Sequence, residues 1–423
     1  MTEPMSEPAR EPLPDPLTDP LPEALPEALT EPPPGPVTGP ASGRTPGSAV
    51  DVILYYYRPT KAPALREAVL PLARRATERG LRAHVERHWR FGPHLRLRLE
   101  GPAERVAAVA QESSEALRAW VAAHPSVDNR TEERLLAEAA VAGRAELIAP
   151  PYGPLVPDNT VRVAPVEPAA QAGLRALLGD EPAALRDELM RAGLPSVTSA
   201  CRFLGEHGDT AQARVRLVVT ALAAHASTHP DGLAGGHYSF LSHLEDFLVH
   251  EDPDGRLRAA FDRHGERGGP AVTELVRRVT AGDIRSWERD WAHWSATAWQ
   301  RAERLLAAGA DLSGHREEYR ARALALGDPA VAERWDFGLR TRYSEFHRMV
   351  ARSDPDGTLF NRTDYLIYRT TTNALYRLFA ICDVRPLERY LAAHLVVRTV
   401  PELTGHRWQD HIGAVIARAE GAA

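Results

Sequence analysis

His88-Trp89-Arg90-Phe91-Gly92-Pro93-His94-Leu95-Arg96-Leu97-Arg98-Leu99 is the stretch whose reading decides the fold. Gly92-Pro93 signals a turn. From His94 onward, leucines alternate with His94, Arg96 and Arg98, the period-two pattern of a strand with one buried face. One imidazole and two guanidiniums then point the same way, an array suited to carboxylates or backbone carbonyls. An ordinary strand with a solvated polar face has the same spacing. Working outward, Leu81 to Trp89 reads as a preceding strand, and Val52-Ile-Leu-Tyr-Tyr-Tyr57 as a β-rich run closed by Arg58-Pro59. Leu65, Val69 and Leu72 predict a helix from about Ala62 to Gly80, and Val106, Val109, Leu117, Trp120 and Val121 a second over Ala103 to Ala123. Strand, helix, two strands and helix make a small mixed or antiparallel sheet lobe with both helices able to cover one face.

Beyond it, Ala149-Pro-Pro-Tyr-Gly-Pro-Leu-Val-Pro157 is a stiff crossing and Asn159 to Pro165 a short strand. Gln171 to Leu178, Ala183 to Ala192, Ser196 to Leu204 and Thr210 to Ala224 carry helical apolar stripes. Ile284, Trp287, Trp291 and Trp294 form an aromatic stripe, either a helix core or a groove for a peptide. A helix from about Tyr365 to Phe379, a break at Val384-Arg385-Pro386 and a helical hairpin from Leu387 to Ala419 complete the chain. The expected class is α+β in a single domain over 50–423, with the sheet lobe over 50–165 and a mainly helical region over 166–423. Residues 1–49 repeat Pro-Leu, Pro-Asp and Pro-Glu units, too proline-rich and apolar-poor to order, and are expected to form a disordered acidic extension.

Composition narrows the function. A net charge of −6 over 423 residues gives no basic field for nucleic acid or an anionic membrane. No apolar run approaches the roughly 18 residues of a membrane span, and the acidic start is unlike a secretory signal. Cys201 and Cys382 form no CxxC, so a reducing, cytoplasmic setting is expected. Lys61 is the only lysine, which reflects a coding bias toward arginine rather than function.

Most chemical motifs are absent. His225 and His229 are separated by Ala226 where a zincin helix needs glutamate after the first histidine. Asp252-Pro-Asp254-Gly255 and Asp354-Pro-Asp356-Gly357 lack the later ligands of a calcium loop and read as turns. No dinucleotide fingerprint, P-loop lysine or GxSxG elbow occurs, so no cofactor and no metal are expected. Two stretches remain. Gly235 to Leu248 gathers His237, Tyr238, Ser239, Ser242 and His243 just before and inside a helix; Ser239 or Ser242 as its cap and Leu241, Leu244 and Leu248 as a core face account for most of it, with a pocket wall as the alternative. Tyr365-Leu-Ile-Tyr-Arg-Thr-Thr-Thr-Asn-Ala-Leu-Tyr-Arg-Leu-Phe379 places Arg369, Thr372, Asn373 and Tyr376 on one polar helix edge. Its three successive threonines are poor helix formers, which points to a constraint other than propensity.

Taken in order, the Tyr-rich first strand, Trp89-Arg-Phe-Gly-Pro-His-Leu-Arg-Leu-Arg98, the long helical middle, and Thr372-Asn-Ala-Leu-Tyr-Arg-Leu378 followed by Pro386-Leu-Glu-Arg389 resemble the elimination-domain superfamily of class I lantibiotic dehydratases. The resemblance runs from Val52 to the C-terminus and implies a lantibiotic dehydratase C-terminal-like fold. In glutamate-eliminating members the strand arginines contact the glutamyl ester and a late histidine moves the proton. Here His94, Arg96 and Arg98 match, but Arg369 and Thr371 stand where histidines are expected. The branch that resembles this chain more is the thiopeptide pyridine synthase. It joins two dehydroalanines of a ribosomally made peptide by a formal aza-[4+2] cycloaddition and expels the leader peptide. The resemblance implies Tyr376 with Thr370 or Thr371 as catalytic residues and His94, Arg96, Arg98 and Asn373 as substrate-binding residues; Arg369, from the polar helix edge, and Ser239 and His243, from the pocket-wall reading, are expected to bind substrate with them. Its partners would be the precursor peptide and other maturation enzymes. Two other readings stay open: a glutamate-eliminating subunit of a split dehydratase, and a non-catalytic leader-peptide-binding partner.

Overall fold

The computed structural model describes residues 48–166, 168–336 and 339–421, so the extension expected over 1–49 lies outside it apart from its last two residues. The first lobe contains β1 (Ser48–Tyr55), α1 (Ala62–Ala64) running through a π-helical stretch (Leu65–Val69) into α2 (Leu70–Glu78), β2 (Arg82–His88), β3 (His94–Gly101), α3 (Ala103–Ala123), α4 (Glu132–Ala145) and β4 (Thr160–Pro165). The helical body follows with α5 (Pro168–Leu178), α6 (Asp180–Ala192), α7 (Leu194–Glu206), α8 (Ala211–Ala226), α9 (Gly232–Glu251), α10 (Arg256–Thr280) and α11 (Glu288–Ala307). Next come α12 (Arg316–Ala325), α13 (Pro329–Trp335), α14 (Glu345–Ser353), a 3-10 turn (Thr358–Asn361), α15 (Thr363–Ile381), α16 (Pro386–Thr404) and α17 (Trp408–Gly421). The first strand thus starts at Ser48, four residues before the β-rich run that marks it in the sequence.

The sheet is antiparallel throughout, in the order β2-β3-β1-β4. Leu95, Leu97 and Leu99 are fully buried on one face, where they join Val52 and Leu54 of β1, Leu72 and Ala76 of α2, and Val106 and Leu117 of α3 in one core. Strand alternation puts the polar set on the other face. There the register aligns three rows: Tyr55, His94 and His88; Ile53, Arg96 and Glu86; Asp51, Arg98 and His84. A lone sheet would leave this face in water. Here the helical body covers it instead: Arg186 of α6 pairs with Glu86, and Asp51, His84, Glu86, His88, His94 and Arg98 are all buried. The solvated-face expectation fails because a second lobe, invisible to local periodicity, packs on that side.

The lobe is also tied to the helical body beyond the end of α15. Asp383 Oδ2 accepts the backbone N–H groups of Lys61 (2.6 Å) and Ala62 (2.8 Å), and Oδ1 accepts Arg87 Nη1 at 2.8 Å. Lys61 is 1% exposed and donates to the Arg58 carbonyl. Its desolvation pushes the ammonium pKa down to about 7, and the charge of Arg87 adds to the shift.

In the body, the tryptophan stripe is core. Trp291 and Trp294 are 0% and 1% exposed, the Trp294 indole donates to the Leu189 carbonyl at 3.0 Å, and Trp291 lies 5.4 Å from the Phe379 ring. That burial removes the alternative of a peptide groove. The cap expectation also changes, since α9 starts at Gly232 and Ser239 and Ser242 lie inside it. Asp252 accepts the N–H groups of Leu257 and Arg258, and Asp354 those of Thr358 and Leu359, so both Asp-Pro-Asp-Gly stretches are turns. Cys201 and Cys382 are free, buried thiols. Among the described residues no helix is long and apolar enough to cross a membrane.

Candidate active site

α15 organises the site. At about 3.6 residues per turn, Arg369, Asn373, Tyr376 and Ala380 fall on one face, whereas Thr371 falls on the other. Thr371 is fully buried and its hydroxyl donates to the carbonyls of Ile367 (2.9 Å) and Tyr368 (3.1 Å). Thr372 is buried as well, with its hydroxyl 3.1 Å from His225 Nε2. Burial drives the His225 pKa down to about 3, so that pair is a neutral link between α8 and α15. Thr370 and Asn373 remain half-buried at the edge of the Tyr376 face. Two of the three threonines therefore serve packing, and Thr370 keeps its hydroxyl available.

The Tyr376 phenol meets α9 and α16. Its oxygen is 3.2 Å from His243 Nδ1, and the Arg389 guanidinium lies over its ring at 4.3 Å, a cation–π distance. Burial, reinforced by the charge of Arg389, pushes the His243 pKa down to about 4, so the imidazole is neutral near pH 7. His243 shares its side of α9 with Ser239, Asp246 and His250. Asp246 is anchored by Arg334 at 2.9 Å and by Arg340, and its pKa falls to about 2 because these cations outweigh its burial. Ser242, one residue from His243, contacts His347 Nε2 at 3.0 Å. Toward the start of α15, Arg369 donates to the Ser313 carbonyl at 3.1 Å. That carbonyl is at the rim of a cavity of about 670 Å³ whose lining includes Gly314, Arg316, Phe360 and Asn361.

The other predicted residues lie on the polar face of the sheet, whose β2 packs against α15. His94 Nδ1 is 2.7 Å from the Gly92 carbonyl, which can only accept, so Nδ1 carries the proton. His94 Nε2 is then free to accept Arg96 Nε at 2.9 Å. The turn thus fixes a neutral tautomer that aims the half-buried Arg96. Arg98 is used otherwise, in a buried two-pronged pair with Asp51 at 2.9 and 3.0 Å. The charge of Arg377 on α15 is among those that hold His88 below the ordinary imidazole range, after burial, Arg96 and Arg90.

The structure therefore brings Tyr376, His243, Arg369 and Asn373 to adjoining faces of α9 and α15, with Ser239 one turn before His243. His94 and Arg96 lie on the polar face of the sheet, while Arg98 bonds Asp51 and Thr371 bonds its own helix. Sequence reading passed over Arg389 and Arg377. Arg389 stood within the quoted Pro386-Leu-Glu-Arg389 segment, but nothing local shows that α16 folds back over Tyr376. Among the described residues no group of three or more His, Cys, Asp or Glu could hold a metal ion.

A short antiparallel sheet whose polar face is closed by a helical body defines the class of protein. Residues 50–399 match the lantibiotic biosynthesis dehydratase C-terminal family, and the chain belongs to it. Among solved structures it is similar to the pyridine synthase TbtD from thiomuracin biosynthesis, with 20% identity, a TM-score of 0.60, and coverage of 85% of this chain and 99% of that one. It is also similar to TsrL, with 17% identity, a TM-score of 0.55, and coverage of 88% and 99%. At these identities the likeness establishes the fold. No curated protein matches the chain.

Proposed function

We propose that this protein is a pyridine synthase of thiopeptide maturation that works without a cofactor on a ribosomally made peptide. The observation that carries the reading is the Tyr376 phenol, hydrogen-bonded to a neutral His243 and backed by the Arg389 cation. Family membership and the fold shared with the thiomuracin enzyme support it. In the proposed reaction one amide tautomerises to a hydroxy-2-azadiene, whose terminal CH2 and hydroxyl-bearing carbon add across the second dehydroalanine with formation of two C–C bonds, the ring nitrogen being the original amide nitrogen. Water then leaves from the hydroxyl-bearing carbon, and the leader leaves as a peptide amide, giving an aromatic pyridine with no net oxidant. The site has to hold two distant alkenes in near-attack geometry. Tyr376 donates to the amide oxygen and then to the departing hydroxyl, His243 orients the phenol, and Arg389 stabilises charge that builds on it. Thr370 assists from the same helix. Arg369 and Asn373 hold the peptide along α15, next to the cavity at Ser313, and Arg96 holds it from the sheet.

Incubation with an azole-containing, bis-dehydroalanine precursor, followed by mass spectrometry, tests this. Release of the intact leader amide together with a macrocycle is expected. Glutamate release from a glutamylated peptide would replace the proposal with elimination, and unchanged peptide that stays bound would leave only a binding role.

A further inference from the structure

His88, at the end of β2, is 5% exposed, and it stacks between Trp89 (5.2 Å) and His94 (5.4 Å). Its Nδ1 accepts the Arg90 backbone N–H at 3.0 Å. The ring is neutral, because burial and then Arg96 oppose a second proton. A neutral ring whose Nδ1 accepts must carry its proton on Nε2. That Nε2 is buried and has no hydrogen-bond partner among the described residues. A buried donor with no protein partner gains most from an acceptor that a ligand supplies. The surroundings say which kind. After burial, Arg96, Arg90 and Arg377 oppose a second proton on His88 while Glu86 favours one, so the ring stays a neutral donor at Nε2, and a neutral N–H is completed by an oxygen acceptor and not by another donor or a cation.

We propose that His88 is a substrate-binding residue whose Nε2–H donates to a backbone carbonyl oxygen of the modified peptide, with Arg96 beside it. The inference rests on the reading that the protein takes a dehydroalanine-bearing peptide. It adds a contact from β2 to those on β3 and α15, so that the peptide is held on both sides of Tyr376. His88 positions the peptide; the proton work stays with Tyr376.

Two amide variants test it. In His88→Asn the side-chain oxygen can still accept Arg90 N–H, but the donor no longer reaches the Nε2 position. In His88→Gln a donor reaches that position. Binding is measured by titration calorimetry with an unreactive peptide that keeps its azoles and carries alanine in place of both dehydroalanines. His88→Gln is expected to bind within about twofold of wild type and His88→Asn about tenfold more weakly, with kcat/KM following through KM. Equal affinity in the two variants, or equal losses that track equal drops in melting temperature, overturns the inference in favour of a packing role. Wild-type protein that binds this peptide yet does not cyclise the reactive one overturns pyridine synthesis alone. Failure of the wild type to bind either peptide overturns both.

Discussion

Tyr376 and Thr371 show how far the meaning of a residue depends on which side of one helix it occupies. Tyr376→Phe keeps the packing against Phe379 and removes only the hydroxyl that meets His243. It is expected to lower the cyclisation rate by about 10²- to 10⁴-fold, the usual range for a lost acid–base group, without a shift in the melting curve. Single-turnover mass spectrometry checks this, and wild-type turnover would remove Tyr376 from its assigned role. Thr370→Val is expected to slow cyclisation, whereas Thr371→Val, whose hydroxyl bonds only to its own helix, is expected to leave turnover within about twofold. The same substitution made at both positions thus separates a hydroxyl that assists from one that packs.

At the scale of elements, the opening strand was legible because its alternation is local: Leu95, Leu97 and Leu99 go inward as the period-two pattern requires. The helix over Ala103–Ala123 was legible for the same reason. The fate of the strand's polar face was not, since Glu86 meets Arg186 across 100 residues of chain and no local pattern encodes that meeting. Of the site, Tyr376, Asn373 and Arg369 could be placed on one edge from spacing alone. Arg389 and His88 acquire significance only once α16 and β2 are brought against α15 and β3. The β2–β3 turn is strict for a physical reason: Gly92 has φ of 112°, and a Cβ there would lie 2.1 Å from the Tyr57 hydroxyl oxygen. Gly92→Ala is therefore expected to cost more than about 1 kcal/mol and to disturb the His94–Gly92 bond that aims Arg96. Arg98→Met leaves Asp51 buried without its cation and is expected to cost about 3–5 kcal/mol, while the double change with Asp51→Leu recovers most of the loss. Urea titrations of the single and double variants measure both effects, and an undiminished loss in the double variant would show that the pair does more than neutralise itself.

At the scale of the whole molecule, the buried histidines make the fold acid-sensitive. Burial is the leading cause that lowers His225 to about 3 and His237, His243 and His394 to about 4. Each folded value lies below the unfolded value of about 6.5, so the native state binds fewer protons. Their contribution is complete above about pH 6.5 and is lost as the pH falls through 4 toward 3. Lys61 extends the same slope upward. Between its folded value of about 7 and an unfolded value of about 10.4 the unfolded chain again binds the extra proton, so stability rises over that window. Thermal melts from pH 3 to 10 are expected to show both rises, and Lys61→Met to abolish only the upper one. Burial of this one residue also gives the protein an unusual surface: the described fold presents no lysine amine to solvent. An acylating reagent should leave Lys61 unmodified in the native state and modify it only after the segment at Lys61-Ala62 has come away from Asp383. The mass of a single tryptic-free peptide around residue 61 then becomes a clock for separation of the sheet lobe from the helices, and acylation of the folded protein as fast as that of the denatured chain would show that the two lobes part freely.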